Sequence, residues 1–160
     1  MVKLMRVDAR LLHGQVAVTW VSSVAASSIL IADDEVMTNE MSKMALKMAK
    51  PSGVNLAIRS IDGAAELLND PRSREISIFV IVRTIADALR LVEKTDQIRQ
   101  INIGGIKKKE GSRLIAAAVY VNDEDVEVLK KLGERVDKVE FRMVPSDSAK
   151  TLESVIKEGK

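Results

Sequence analysis

Five short runs of apolar, largely β-branched residues, separated by stretches of helical periodicity, constrain this chain more than any other feature. KLMRV (3–7), SILIA (28–32), VNLAI (54–58), ISIFVIV (76–82) and QINIG (100–104) are bounded by Gly, Pro, Asp or Ser and predict strands. They read as nearly continuous apolar runs rather than alternating ones, the pattern of strands covered on both faces, as in parallel sheets. Between them, DEVMTNEMSKMALKMAKP carries Met37, Met41, Met44, Ala45 and Met48 at spacings of three and four before Pro51, which predicts a helix. Its methionine stripe is expected to face the core, where Met is a common filler.

TIADALRLVEK (84–94) repeats the helical period through Ile85, Leu89 and Val92. RLIAAAVYV follows Gly111, and a helix is expected from Asp123 in NDEDVEVLKKLGER, with an acidic first turn that suits the helix dipole and an end at Gly133. VDKVEFRMV (136–144) alternates and predicts an edge strand; a last short helix follows PSDS. At 160 residues the chain is long enough to bury its own core, and one domain over residues 1–160 is expected. The predicted class is α/β, an open, doubly wound sheet with helices on both faces.

Charge and composition narrow the chemistry. The chain is 46% hydrophobic and 30% charged but only 2% aromatic, so it is globular with an aliphatic core. Without cysteine there is no disulfide and no thiolate metal site, which suits a reducing compartment; neither a metal nor a cofactor is expected. A net charge of +2 from 25 basic and 23 acidic residues provides no global field for nucleic acid, so any anion site must be local. VAVTWVSSVAASSILIA (16–32) is free of charge, but it carries four serines and a threonine and is shorter than a spanning helix needs. It divides into a buried helix, with Trp20 as packing, and the strand SILIA. Arg6, Asp8 and Arg10 argue against a signal peptide, and a soluble, cytoplasmic protein is expected.

The first strand runs into RVDARLLHGQV (6–16), which holds His13, the single histidine of the chain. Ligands of open α/β sheets bind outside the carboxyl ends of the strands, and this loop lies at such an end. A neutral imidazole nitrogen is a nucleophile near physiological pH, and it can hold a phosphoryl group in labile form. Phosphoryl transfer needs chiefly positioning and charge stabilisation, which Arg10 can supply as a planar donor fork. Gly14 brings backbone close to the imidazole, and Gln15 opens a helix whose free N–H groups form an anion site. Asp8 can orient Arg10 or accept a proton from the other imidazole nitrogen. Gly104 and Gly105 follow a strand at the same sheet edge and are expected to bring backbone near the His13 loop.

This loop, with ILIADDEV (29–36), KMAKPSGV (47–54), TIADALRLVE (84–93), INIGGIKKKEG (101–111) and VPSD (144–147), resembles the IIB component of the mannose/fructose/sorbose family of the bacterial sugar phosphotransferase system. The resemblance spans nearly the whole chain in collinear order. It implies a mostly parallel central sheet with an antiparallel edge strand. It also implies a phosphocarrier that accepts a phosphoryl group on His13, at Nδ1, from a phosphohistidine of a IIA partner. The group then passes to a sugar delivered by the membrane components IIC and IID, through which the protein associates with the inner face of the membrane. Arg10 is then the phosphate stabiliser, with Asp8, Gly14 and Gln15 in support. Ala9 stands where an acidic residue is frequent, and Lys107 to Lys109 form a more basic loop than usual. No IIA-like segment occurs in the sequence, so the donor is expected on another polypeptide or outside these residues. A homodimer remains open.

Other readings are available to the same residues. Asp33 and Asp34 after a strand suggest the paired carboxylates of a receiver domain, although ISIFVIV leads into Arg83 and Thr84 rather than an acceptor aspartate. GGIKKKEG lacks the ending of a P-loop. The Lys107–Lys109 run has no aromatic platform for nucleic acid, and it reads as a solvated loop or a dock for an acidic partner. A regulatory or binding module on the same fold, dependent on phosphorylation, is the alternative function.

Overall fold

A computed structural model describes residues 1–158. Their elements are β1 (Val2–Asp8), α1 (Gly14–Val24), β2 (Ser28–Ala32), α2 (Glu40–Ala49), β3 (Asn55–Arg59), α3 (Ile61–Asn69), β4 (Ile78–Val82), α4 (Ile85–Val92) and β5 (Gln100–Gly105). There follow β6 (Arg113–Ala116), β7 (Val119–Val121), α5 (Asp123–Arg135), β8 (Lys138–Phe141), β9 (Lys150–Thr151) and α6 (Leu152–Glu158). Seven strands form one sheet in the order β3-β2-β4-β1-β5-β8-β9. Its pairings are parallel except β8 with β9. The mostly parallel, doubly wound α/β sheet expected from the sequence is the one the chain forms.

Every residue of β4 is buried, which explains its unbroken apolar run: the pleat sends alternate side chains into two cores. Met5, Val7, Leu30, Ala32, Val80, Val82, Ile101 and Ile103 join α3, α4 and α5 in one core. Leu4, Ile29, Ile31, Phe79 and Ile81 join α1 and α2 in the other. Each such fully buried side chain contributes about 1.5–3 kcal/mol. β1 lies at the centre, with Leu4 beside Phe79 of β4 and Met5 beside Ile101 of β5. Its carboxyl end therefore opens between the two halves of the sheet.

Three expectations need correction, and one helix was not expected. The antiparallel edge is the two-residue β9, whereas the 136–144 segment supplies β8, which runs parallel to β5. Gly133 does not end α5, which continues to Arg135; a β-carbon there would come within 2.6 Å of Leu152 Cδ2, so the glycine serves the close approach of α6. Residues 61–69 form α3, capped by Ser60, whose hydroxyl accepts the Gly63 N–H. The methionine stripe faces outward: Met41, Met44 and Met48 are 84%, 64% and 82% exposed, while Leu46 is buried. Asn39 caps α2 by accepting the Ser42 N–H, and its rotation sets Leu46 and Ala49, not the methionines, towards the core.

Among the described residues no helix is long and apolar enough to cross a membrane. The uncharged 16–32 stretch divides between α1 and β2, and Trp20 is buried.

Candidate functional site

Asp8 is the last residue of β1 and is buried. Its Oδ1 accepts the Arg10 backbone N–H at 2.9 Å, and its backbone carbonyl accepts the Leu11 N–H at 2.9 Å. The chain thus turns sharply as it leaves the sheet, and Leu11 and Gly14 take positive φ values of 56° and 40°. Leu11 and Leu12 are buried beneath the loop, which anchors the strained turn through packing.

His13 stands at the N-cap of α1 in an extended conformation, and its side chain makes no capping bond. His13 therefore does not itself cap the first turn of α1, and a helix N-terminus favours an anionic acceptor. The imidazole instead turns back to the strand end, where Nε2 lies 3.1 Å from Asp8 Oδ2. A carboxylate can only accept, so Nε2 carries a proton, and in the neutral imidazole the lone pair is on Nδ1. Of the two roles open to Asp8, it takes the imidazole, and it holds Arg10 by the backbone only. The Arg10 side chain is exposed and, among the described residues, its guanidinium has no partner. It lines a cleft of about 310 Å³ between the His13 loop and α2, together with Leu12, Ala45, Leu46, Arg83 and Lys107. Gln15 is the second residue of α1; its side chain lies outside the described residues.

Asp8 is held in turn by Arg6, two residues earlier on the same face of β1. The Arg6 guanidinium donates to Asp8 Oδ2 from Nε at 3.3 Å and from Nη2 at 3.1 Å, and from Nη1 to Asn102 Oδ1 at 2.5 Å. Burial pushes the Arg6 pKa down, and Asp8 opposes that shift. Arg6 is 2% exposed and Asn102 fully buried, so these polar groups persist only because they satisfy one another. Trp20 covers them: the guanidinium carbons of Arg6 and Arg142 lie 5.1 and 5.3 Å from its ring centroid, within cation–π range. Its indole N–H donates to the Met143 carbonyl at 3.0 Å.

Gly104 and Gly105 do reach this loop. Asp8 pairs with Gly105, whose carbonyl accepts the Ala9 N–H at 2.9 Å. A β-carbon on Gly104 would fall inside the Arg6 guanidinium, so the glycine creates the space for that side chain. Arg6, Trp20, Asn102 and Arg142 were absent from the site read off the sequence. Two signals mark Arg6 and Asn102: a charge at Arg6 in phase with Asp8, and an asparagine within the apolar run INI.

The remaining candidates separate from the site. Asp33 Oδ1 accepts the Glu35 and Val36 N–H groups, and Oδ2 pairs with Arg83 Nε at 2.7 Å. Asp34 accepts the Ile61 N–H and pairs with Arg90. The Ile61 N–H and Arg90 hold its carboxyl below the usual carboxylate range. The doublet of a receiver-like site is thus engaged in capping and ion pairs. Of the lysine run, Lys109 pairs with Asp125 at 2.8 Å; Lys107 and Lys108 are exposed.

Residues 2–160 match the family model described as the PTS system sorbose subfamily IIB component. The chain is 36% identical to a probable phosphotransferase enzyme IIB component of Streptococcus pyogenes, over 82% of this chain and 84% of that one. It is 32% identical to the mannose-specific EIIAB component of Escherichia coli, over 90% of this chain but 45% of that longer protein. The crystal structure of the IIBSor domain of the sorbose permease from Klebsiella pneumoniae superposes with a TM-score of 0.94 at 28% identity, covering 100% of this chain and 98% of that one.

Proposed function

The chain belongs to the sorbose subfamily of IIB components of the phosphotransferase system, phosphocarriers of sugar transport, and from that premise we propose that His13 is the residue that carries the phosphoryl group. The observation that supports this most is the 3.1 Å contact of Nε2 with Asp8, which leaves Nδ1 as the attacking nitrogen on the residue that precedes α1. In the first step, Nδ1 attacks phosphorus on the phosphohistidine of a IIA partner; the new N–P bond forms as the donor's N–P bond breaks. In the second, a sugar hydroxyl attacks phosphorus, an O–P bond forms as the Nδ1–P bond breaks, and the hydroxyl proton passes to water while Nδ1 regains its lone pair.

Both steps pass through phosphorus bearing three charged equatorial oxygens. The α1 N–H groups of Gly14 and Gln15 and the exposed Arg10 guanidinium would neutralise them. Asp8 acts as a positioning residue, with Arg6 and Asn102 fixing it from below. The sugar would be presented by membrane components of the IIC and IID type, so this chain would work against the inner membrane face.

Intact-mass measurement of phosphate uptake from phosphoenolpyruvate, through the general phosphotransferase proteins and a IIA donor, tests this reading. The expected result is an acid-labile, alkali-stable phosphate on the wild-type protein and none on His13→Ala. The same phosphate on His13→Ala would overturn it.

A further inference from the structure

We propose that the exposed methionine face of α2, with the basic margin joining it to the His13 loop, is the seat of the IIA phosphoryl donor. The occupant is a folded protein face with an apolar centre and an acidic border. This rests on His13 being the phosphoryl acceptor.

Met41, Met44, Ala45 and Met48 form one stripe along α2, on the side opposite the buried Leu46. Single exposed apolar residues are ordinary, whereas a contiguous stripe marks a surface that is covered part of the time. Ala45 belongs to this stripe and also lines the cleft beside Arg10 and Leu12, so the apolar face runs unbroken to the reacting loop. A stable protein interface covers about 800 Å² on each partner. A donor protein whose histidine reaches His13 must therefore spread well beyond the short loop between β1 and α1, and α2 adjoins it.

Charge selects the occupant. Arg10, Lys47, Lys50, Lys107 and Lys108 are exposed on α2 or around the cleft; Glu40, also exposed, is paired with Lys43. A two-fold contact between copies of this chain would set that basic margin against itself, which costs affinity. A bilayer-seated helix would carry Trp, Phe or Leu on its apolar side, and this stripe has none. Methionine, unbranched and polarisable, moulds to a protein surface.

The test is a Met41→Glu/Met48→Glu double variant. Both positions are exposed, so thermal unfolding should match the wild type. With phosphorylated IIA as donor, the KM for phosphorylation of His13 should rise about tenfold or more, with kcat retained. Phosphoryl transfer from the prephosphorylated variant to sugar, in membranes bearing IIC and IID, should be unchanged. Neutralising Lys47, Lys107 and Lys108 should flatten the salt dependence of IIA association. An unchanged KM for IIA overturns the proposal. So does a defect confined to the membrane step, or a wild-type dimer in sedimentation that the variant dissociates. Binding of unphosphorylated IIA to His13→Ala separates the two readings. If wild type takes no phosphate on His13, the acceptor assignment fails, whereas unaltered IIA binding by the methionine variant defeats the docking face alone.

Discussion

The face of the sheet beneath α1 is divided between two kinds of interior. Over β2 and β4 it is aliphatic and aromatic, with Ile29, Ile31, Phe79 and Ile81 buried together. Over β1, β5 and β8 the same pleat positions bear Arg6, Asn102 and Glu140, which stand beside one another in register across three strands. Both halves are shielded from water, but for different ends. The apolar half gains free energy with every side chain it covers. The polar half gains little net stability, because the desolvation of its charges offsets their attraction, but Arg6 and Asn102 there are fixed by the hydrogen bonds that satisfy them. That rigidity ends at Asp8 and His13. The reacting loop stands where one half meets the other.

The division can be broken most forcibly at Arg6. Arg6→Met strands Asp8 as a buried, unpaired charge and should cost about 4 kcal/mol in urea unfolding, while phosphoryl uptake by the folded fraction falls about 100-fold through misplacement of His13. A loss below about 1 kcal/mol would show that water reaches Asp8 and that the polar half is not a closed interior. Ile81→Ala, across the pair from Arg6, should cost about 3 kcal/mol and leave the uptake rate of the folded protein unchanged. That separation of stability from rate is the sharpest statement of the difference between the halves.

Gly104→Ala attacks the polar half without removing a charge. The added methyl displaces Arg6 and should cost about 2 kcal/mol, with slower uptake that an Arg6→Met background no longer shows. Independent effects of the two changes would mean that Gly104 serves something other than Arg6.

The smallest effect lies outside both halves. Asp70, exposed before β4, has its carboxyl held at about 2 by hydrogen bonds from Arg72. Its folded pKa is depressed, so its contribution to stability is full above the ordinary carboxylate range and fades as pH falls towards about 2. Stability measured between pH 4 and 2 should decline slightly less steeply in Asp70→Asn, while Arg6→Met keeps the wild-type decline from this pair.

Much of this architecture could be read in the sequence because continuous apolar runs have few explanations. SILIA is β2 residue for residue, and the place of His13 followed from its position after a strand. The stripe on α2 was misjudged because that helix carries two apolar stripes, and periodicity does not say which one meets the sheet. Ile61, Ala64, Ala65 and Leu68 gave the spacing of α3 behind a Ser60 cap, a signal present but brief. Arg6 and Asn102 are 96 residues apart, and only register, which no local pattern encodes, shows that they touch. β9, at two residues, is too short to leave any pattern.

The central place of β1 bears on how the protein is made. It is the first strand to leave the ribosome, yet its partners in the sheet are β4 and β5, the latter beginning at Gln100. At about 5–20 residues per second, β1 waits on the order of 5–20 s for that neighbour. Until β4 emerges its apolar run has no strand beside it, and until β5 emerges the Arg6 guanidinium lacks Asn102. A nascent chain arrested before β5 should therefore bind chaperones and be cut readily by protease, with its histidine loop unformed, however much of the β2–β4 layer has already condensed.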